Sequence, residues 1–301
     1  MCVSSSTRSR RQTITGTIME AHGDTALPSE QDHGSRAASS AGAERWVDGA
    51  GGRLHVREAR GSGIPVVFLH GLTGDVSSWA AQLEHLRAAG RRSVAIDLRG
   101  HGRSDAARDG DHSLDAFVAD VAAVTDALAL ERFVLVGHSF GAAVAGEYAG
   151  RHAERVAALV LVDPAGDLTR LPPEAVTGFL GALRSDAWRD LMEGQFEQGL
   201  QQARPDVRER VLARMRTAPR ELVVGAYEAM LYNPVPAVER YRKAGGRALT
   251  VTADMNAGPL ALHEILPDLP RRAVTGTSHW LHLDRPDAFN VVLDYVLADV
   301  Q

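Results

Sequence analysis

The chain has 301 residues, 45% of them hydrophobic and 24% charged, and its 33 Lys+Arg against 38 Asp+Glu leave a formal net charge of −5. This near-balance gives no electrostatic reason to expect nucleic acid as a partner, and no apolar run approaches the roughly 20 residues of a membrane-spanning helix. Cys2 is the single cysteine, which excludes an intramolecular disulfide framework; the composition is that of a globular protein of a reducing compartment, expected in the cytoplasm.

Residues 1–44 are rich in Ser, Ala, Gly, Thr and Arg and carry no sustained apolar periodicity, so this tail is expected to be disordered. Ser9-Arg10-Arg11-Gln12 invites a twin-arginine export reading. The following Thr13 to Glu20 is too short and too polar for the apolar region such a signal needs, and Met19 offers an alternative start. Arg45 to Ala59 reads as an antiparallel hairpin turning at Gly49-Ala50-Gly51-Gly52. Beyond it come short apolar runs bounded by Gly, Pro and charge: Val66–Leu69, Val94–Ile96, Phe133–Val136 and Leu159–Val162. Continuous β-branched runs without alternation are the mark of strands buried on both faces of a parallel sheet. Between them, Leu114, Phe117, Val118, Val121, Val124 and Leu128 recur at helical spacing as one apolar stripe. Strands alternating with helices predict an α/β, doubly wound sheet.

From Leu168 to about Arg242 the strand signal disappears. The stretch is helix-like, with breaks at Pro172-Pro173, Pro205, Pro219, Pro234 and Pro236. Strands resume at Ala248–Thr252 and Ala273–Thr275, and a helix from about Pro286 to Ala298 closes the chain. The division expected is therefore a core of 45–166 and 243–301 with a helical lid, 167–242, over the sheet edge where open α/β sheets place ligands.

The strand Phe133–Val136 runs into Gly137-His138-Ser139-Phe140-Gly141 and then a small-residue helix. A strand reversing sharply into a helix crowds the neighbours of the serine, so glycine is needed at 137 and 141, and the serine hydroxyl is held exposed above the sheet. Ser139 is the candidate nucleophile, and the Phe140 N–H, at a helix N-terminus, is a candidate oxyanion donor. A serine nucleophile needs a base. Of the 12 histidines, His279 follows the last strand and precedes the closing helix, which puts it on a loop at the same sheet edge. His282 follows it, but no further ligand set accompanies the pair, so neither zinc nor any cofactor is expected. The second oxyanion donor is expected from His70-Gly71-Leu72-Thr73-Gly74, with the Leu72 N–H as donor.

These motifs, with Asp97-Leu98-Arg99-Gly100-His101-Gly102-Arg103-Ser104 and the segment ending in Asp284-Arg285-Pro286, resemble in order the α/β-hydrolase superfamily, in its lidded esterase and lactonase branch. The resemblance spans about Arg45 to Val300. It implies the α/β-hydrolase fold and, because Ser139 stands where dehalogenases and epoxide hydrolases carry aspartate, disfavours those two chemistries. It also implies that His101 is structural. Most relatives carry the triad acid after the penultimate strand, where this chain reads Ala253-Asp254-Met255-Asn256; a minority carry it after the preceding strand, where Asp163 stands. The acid thus remains open between Asp163, Asp254 and neither.

The expectation is a serine hydrolase acting through an acyl-enzyme on a small or medium carboxylic ester or lactone. Phe179, Leu180, Leu183, Trp188, Leu191, Phe196, Tyr227, Met230, Leu231 and Tyr232 are candidates for an apolar acyl pocket. Two alternatives stand beside it: carbon–carbon bond hydrolysis or peracid formation at the same triad, and a non-catalytic binding module on the same fold.

Overall fold

The computed structural model describes residues 42–254 and 256–300. The expected disordered tail up to residue 41, with Cys2 and the twin-arginine segment, lies outside the described residues, as does Met255. β1 (Ala43–Gly49) and β2 (Gly52–Ala59) form an antiparallel hairpin that begins just ahead of the expected core boundary. β3 (Ser62–Leu69), β4 (Arg91–Ile96), β5 (Phe133–His138), β6 (Val156–Val162), β7 (Ala248–Thr252) and β8 (Arg271–Ala273) complete an eight-stranded sheet in the order β1-β2-β4-β3-β5-β6-β7-β8. β2 pairs antiparallel with β4, and every pairing from β4 to β8 is parallel. β8 starts ahead of the expected Ala273–Thr275; Val274 still donates to Thr252 O at 2.9 Å, so the apolar residue read as strand sits at its end.

The helices are α1 (Ala80–Ala88), α2 (Leu114–Ala127), α3 (Phe140–Arg151), α4 (Pro173–Arg184), α5 (Trp188–Gly199), α6 (Pro205–Thr217), α7 (Arg220–Met230), α8 (Val235–Lys243), the single turns α9 (Leu262–Ile265) and α10 (Leu281–Asp284), and α11 (Pro286–Ala298). Successive strand residues point to opposite faces, and both faces are buried. Val66, Phe68, Val134, Val136, Val160 and Val162 pack with Leu83 and Leu86 of α1 and Phe289 and Leu293 of α11. Their neighbours Val67, Leu69, Phe133, Leu135, Leu159 and Leu161 pack with Phe117 and Val121 of α2, Val144 and Tyr148 of α3, and Val238 and Tyr241 of α8. α2 shows the local logic: the Ser113 hydroxyl caps it by accepting the Ala116 N–H at 3.2 Å, and its apolar stripe is the buried face.

Between β6 and β7 the helical stretch breaks at the prolines as expected, and each break is the start of a new helix. Pro173 and Pro205 are first residues of α4 and α6, while Pro219 and Pro234 stand just before α7 and α8. A first-turn N–H has no intrahelical acceptor, so proline loses nothing there. α8 packs on the core, with Tyr241 Oη donating to Val156 O at 3.0 Å.

The loop after β4 is pinned to α2 by a buried ion pair. Arg99 donates to Asp120 from Nε at 2.6 Å and from Nη2 at 2.8 Å, and its remaining donors reach Asp111 O and Ala116 O. Removing one member of such a pair strands a buried charge. Arg99→Leu is expected to lower the unfolding free energy by about 3–5 kcal/mol in urea denaturation, and the Arg99→Leu/Asp120→Leu double variant to recover much of it.

Candidate active site

β5 ends at His138 and α3 begins at Phe140, so Ser139 alone makes the reversal, at φ 50° and ψ −113°. A positive φ is strained for any residue but glycine. The turn survives because the chain closes tightly around it: a Cβ on Gly137 would fall deep inside contact distance of the Gly141 carbonyl, and one on Gly141 would meet the Leu69 and His70 carbonyls. Ser139 N–H donates to Val162 O at 2.9 Å, which extends the β5–β6 ladder into the turn.

The same closeness brings in the loop after β3. A Cβ on Gly71 would lie 3.3 Å from Ser139 Cβ, so bare backbone passes over the serine. His70 holds the loop's shape: its Nδ1–H donates to Gly71 O at 2.8 Å and its Nε2 accepts Leu98 N–H at 3.1 Å. Among the described residues, no protein acceptor takes the N–H of Leu72 or of Phe140.

His279 is held from three sides. Its Nδ1–H donates to Asp163 Oδ2 at 2.6 Å, which leaves Nε2 as the bare ring nitrogen. Its carbonyl accepts His138 Nε2–H at 2.9 Å, and its own N–H donates to Gly199 O, at the end of α5, at 3.0 Å. Asp163 ends β6 at φ 43°, is 1% exposed, and receives Ala253 N–H at 2.8 Å and Asn256 Nδ2–H at 3.0 Å on Oδ1. Burial alone would raise this carboxyl; the His279 ring and the two amide donors outweigh it and hold the group below its ordinary range. The other candidate acid, Asp254, is exposed, and its Oδ2 accepts the Gly276 N–H at 2.8 Å.

Ser139 and His279 share a cavity of about 180 Å3 with Leu72, His138, Gln195, Phe196, Gly199, Tyr227, Met230 and Trp280. Of the residues proposed from sequence as a pocket, Phe196, Tyr227 and Met230 line it, while Leu183 and Trp188 are buried among the helices. Tyr232 Oη donates instead to Ala143 O at 3.1 Å. A larger open cleft of about 990 Å3 lies between residues 110–115, α3, α4 and α7 and contains neither Ser139 nor His279. His101 lies buried with its ring 4.9 Å from His70 and 6.4 Å from Phe140. His282 stacks on Trp79 at 4.2 Å. No cluster of His, Cys, Asp and Glu suited to a metal occurs among the described residues. The sequence reading did not single out His138, Asn256 or Gly199 as partners of the histidine and acid; Gly-x-Ser-x-Gly points to its serine and is silent about what its second residue grips.

Residues 64–250 match the family model described as the alpha/beta hydrolase fold. The chain belongs to the α/β-hydrolase fold family. Within the family, 148 residues are 40% identical to a non-heme haloperoxidase of Rhodococcus erythropolis, covering 45% of this chain and 54% of that protein. A 2-hydroxymuconate semialdehyde hydrolase of Pseudomonas sp. (strain CF600) is 38% identical over 125 residues, 40% of this chain and 44% of that protein. The chain thus matches about half the length of these curated relatives. Among solved structures, the enol-lactonase of Burkholderia xenovorans LB400 superposes with a TM-score of 0.71 at 23% identity, over 84% of this chain and all of that one. That likeness is one of fold. Among the described residues no helix is long and apolar enough to cross a membrane.

The histidines around this α/β-hydrolase site are held neutral. Burial pushes His70 down to about 4 and His101 and His282 down to about 3, and it drives His138 well below its ordinary value. Unfolded histidine takes up a proton near pH 6.5, so each such residue costs about 1.4 kcal/mol of stability per pH unit as pH falls from there toward its folded value. The urea midpoint should therefore drop between about pH 7.5 and pH 5, and His282→Phe, keeping the stack on Trp79, should flatten the slope. A midpoint constant over that window would contradict this account.

Proposed function

We propose that this protein is a serine hydrolase that cleaves small carboxylic esters or lactones through an acyl-enzyme. The observation that carries the reading is the 2.6 Å contact between His279 Nδ1 and the buried Asp163, on a histidine that shares a small cavity with the strained Ser139. In this reading Ser139 Oγ attacks the carbonyl carbon and His279 Nε2 takes the hydroxyl proton. Asp163 holds the ring in the tautomer that leaves Nε2 free and stabilises the imidazolium. The Leu72 and Phe140 N–H groups, without a protein acceptor among the described residues, receive the developing oxyanion. His279 returns its proton to the leaving alcohol, and water, deprotonated by the same nitrogen, releases the acid. Asp254 has no part in this scheme. The helices α4–α7 act as the lid, with Phe196, Tyr227 and Met230 forming its wall of the acyl pocket.

Pocket size narrows the substrate class. A cavity of 150 Å3 accommodates benzene, so the space of about 180 Å3 beside Ser139 suits an acyl group of comparable bulk. The similarity to haloperoxidases favours a second reading in which hydrogen peroxide, instead of water, resolves the acyl-enzyme and leaves as a peracid. The semialdehyde hydrolase relative keeps carbon–carbon bond cleavage alongside it.

Incubation with a fluorophosphonate should add one adduct to the native chain and none to Ser139→Ala, read by intact mass. Asp163→Asn should reduce turnover of 4-nitrophenyl acetate by about 10⁴-fold, as loss of the acid does in serine proteases, while Asp254→Asn stays close to native. No adduct on folded native protein would favour a binding module that has lost turnover. Across 4-nitrophenyl esters, kcat/KM should fall about tenfold or more between butyrate and dodecanoate; a flat profile would sink the small-acyl assignment. Halogenation of a reporter in the presence of peroxide, halide and a short carboxylic acid would support the peracid reading.

A further inference from the structure

Asn256 lies in the turn after β7, where the sequence resemblance placed an acid, and in the structure it reaches across to the acid at the end of β6. Its Nδ2 donates to Asp163 Oδ1 at 3.0 Å and to Pro164 O at 3.1 Å, and its own N–H donates to Ala253 O at 3.3 Å. Both partners of the side chain are acceptors, so the amide nitrogen must face them; a carboxylate in its place would confront two oxygens.

We infer that Asn256 is a positioning residue for the triad acid: its neutral amide fixes the carboxylate of Asp163 so that Oδ2 stays aimed at His279 Nδ1. This rests on the serine-hydrolase reading above. Asp163 needs such an anchor. Its backbone sits at φ 43°, off the favoured strand conformation, and its carboxylate is cut off from water. Three donors satisfy it: Ala253 N–H and Asn256 Nδ2–H on one oxygen, the imidazole on the other. The neutrality of Asn256 is what makes it suitable. A lysine or arginine there would draw the carboxylate's field onto itself and weaken its hold on the imidazolium, whereas an amide orients the carboxylate and leaves its charge to His279. The titratable groups that bear on this carboxylate are His279, His138 and His263, the last two displaced toward the neutral form by burial.

The test uses the full chain with two variants, Asn256→Leu and Asn256→Asp, assayed with 4-nitrophenyl acetate, by fluorophosphonate labelling rate and by thermal unfolding. Asn256→Leu should lower kcat and the labelling rate about tenfold to a hundredfold, the loss of one hydrogen bond to a charged group, with KM little changed. In Asn256→Asp the introduced carboxyl lies against Asp163, and two carboxyls so close cannot both ionise readily. While the pair holds one proton, that O–H can donate to Asp163, so kcat stays nearest native at lower pH. As pH rises through the raised ionisation the donor is lost, and kcat should decline along an alkaline limb that the native enzyme lacks. Native kcat in Asn256→Leu, even with a lowered melting temperature, or a native-shaped pH profile in Asn256→Asp, overturns the inference. If Asn256→Leu does not fold, the Asn256→Asp profile decides alone. Should Ser139→Ala keep turnover and labelling, the hydrolase reading itself falls and takes this inference with it; loss at Ser139 and Asp163 with no effect at Asn256 removes only the inference.

Discussion

The serine side of this site follows from one steric demand: β5 must become α3 within a single residue. That demand brings the Gly137 backbone against the Gly141 carbonyl and seats Gly141 on the last carbonyls of β3. Once α3 starts that close to β3, the loop after β3 crosses the turn tightly: a Cβ on Gly71 would fall 2.6 Å from His138 Nδ1 and 3.3 Å from Ser139 Cβ, so bare backbone passes there. Among the described residues this packing leaves the N–H groups of Leu72, next to Gly71, and of Phe140, next to Ser139, without a protein acceptor. The strain at Ser139, φ 50°, is stored in a strand buried on both faces, where the surrounding core over-determines the backbone.

The histidine side of the site depends on long-range contacts rather than on a tight turn. His279 is gripped by β6 through Asp163, by the turn of β5 through His138, and by the helical insertion through Gly199 O. The insertion is itself tied to the core elsewhere: Asp284 Oδ1 accepts Arg204 N–H at 3.0 Å, and Arg214 pairs with Asp75 at 2.6 Å. Around His279 the other imidazoles are kept neutral by burial, so they pack as aromatic rings and leave Asp163 as the buried charge it faces.

The comparison of sequence with structure divides along the range of the interactions. Fold class was legible because continuous apolar runs such as Phe133–Val136 and Leu159–Val162 have a single good use, in strands covered on both faces. The sharp turn at Ser139 was legible because it is a local steric problem that only a glycine pattern solves. The breaks in the helical stretch between β6 and β7 were legible because proline is tolerated in the first turn of a helix and not in its interior, so each break marks where a new helix begins. Which carboxylate meets His279 was not legible. Asp163 and Asp254 both follow strands, and nothing within either segment says which carboxylate turns inward.

By itself, then, the sequence determined the alternation of strand and helix, the sharp turn at Ser139 and the loop that would carry His279, because each is written in contiguous residues whose sterics and hydrophobicity act over a few positions. The tertiary structure decided which aspartate meets the imidazole, that Asn256 backs it, and which helix residues reach the cavity. Those choices depend on how segments 90 or more residues apart in the chain align, and alignment across a sheet is set by the packing of the whole core.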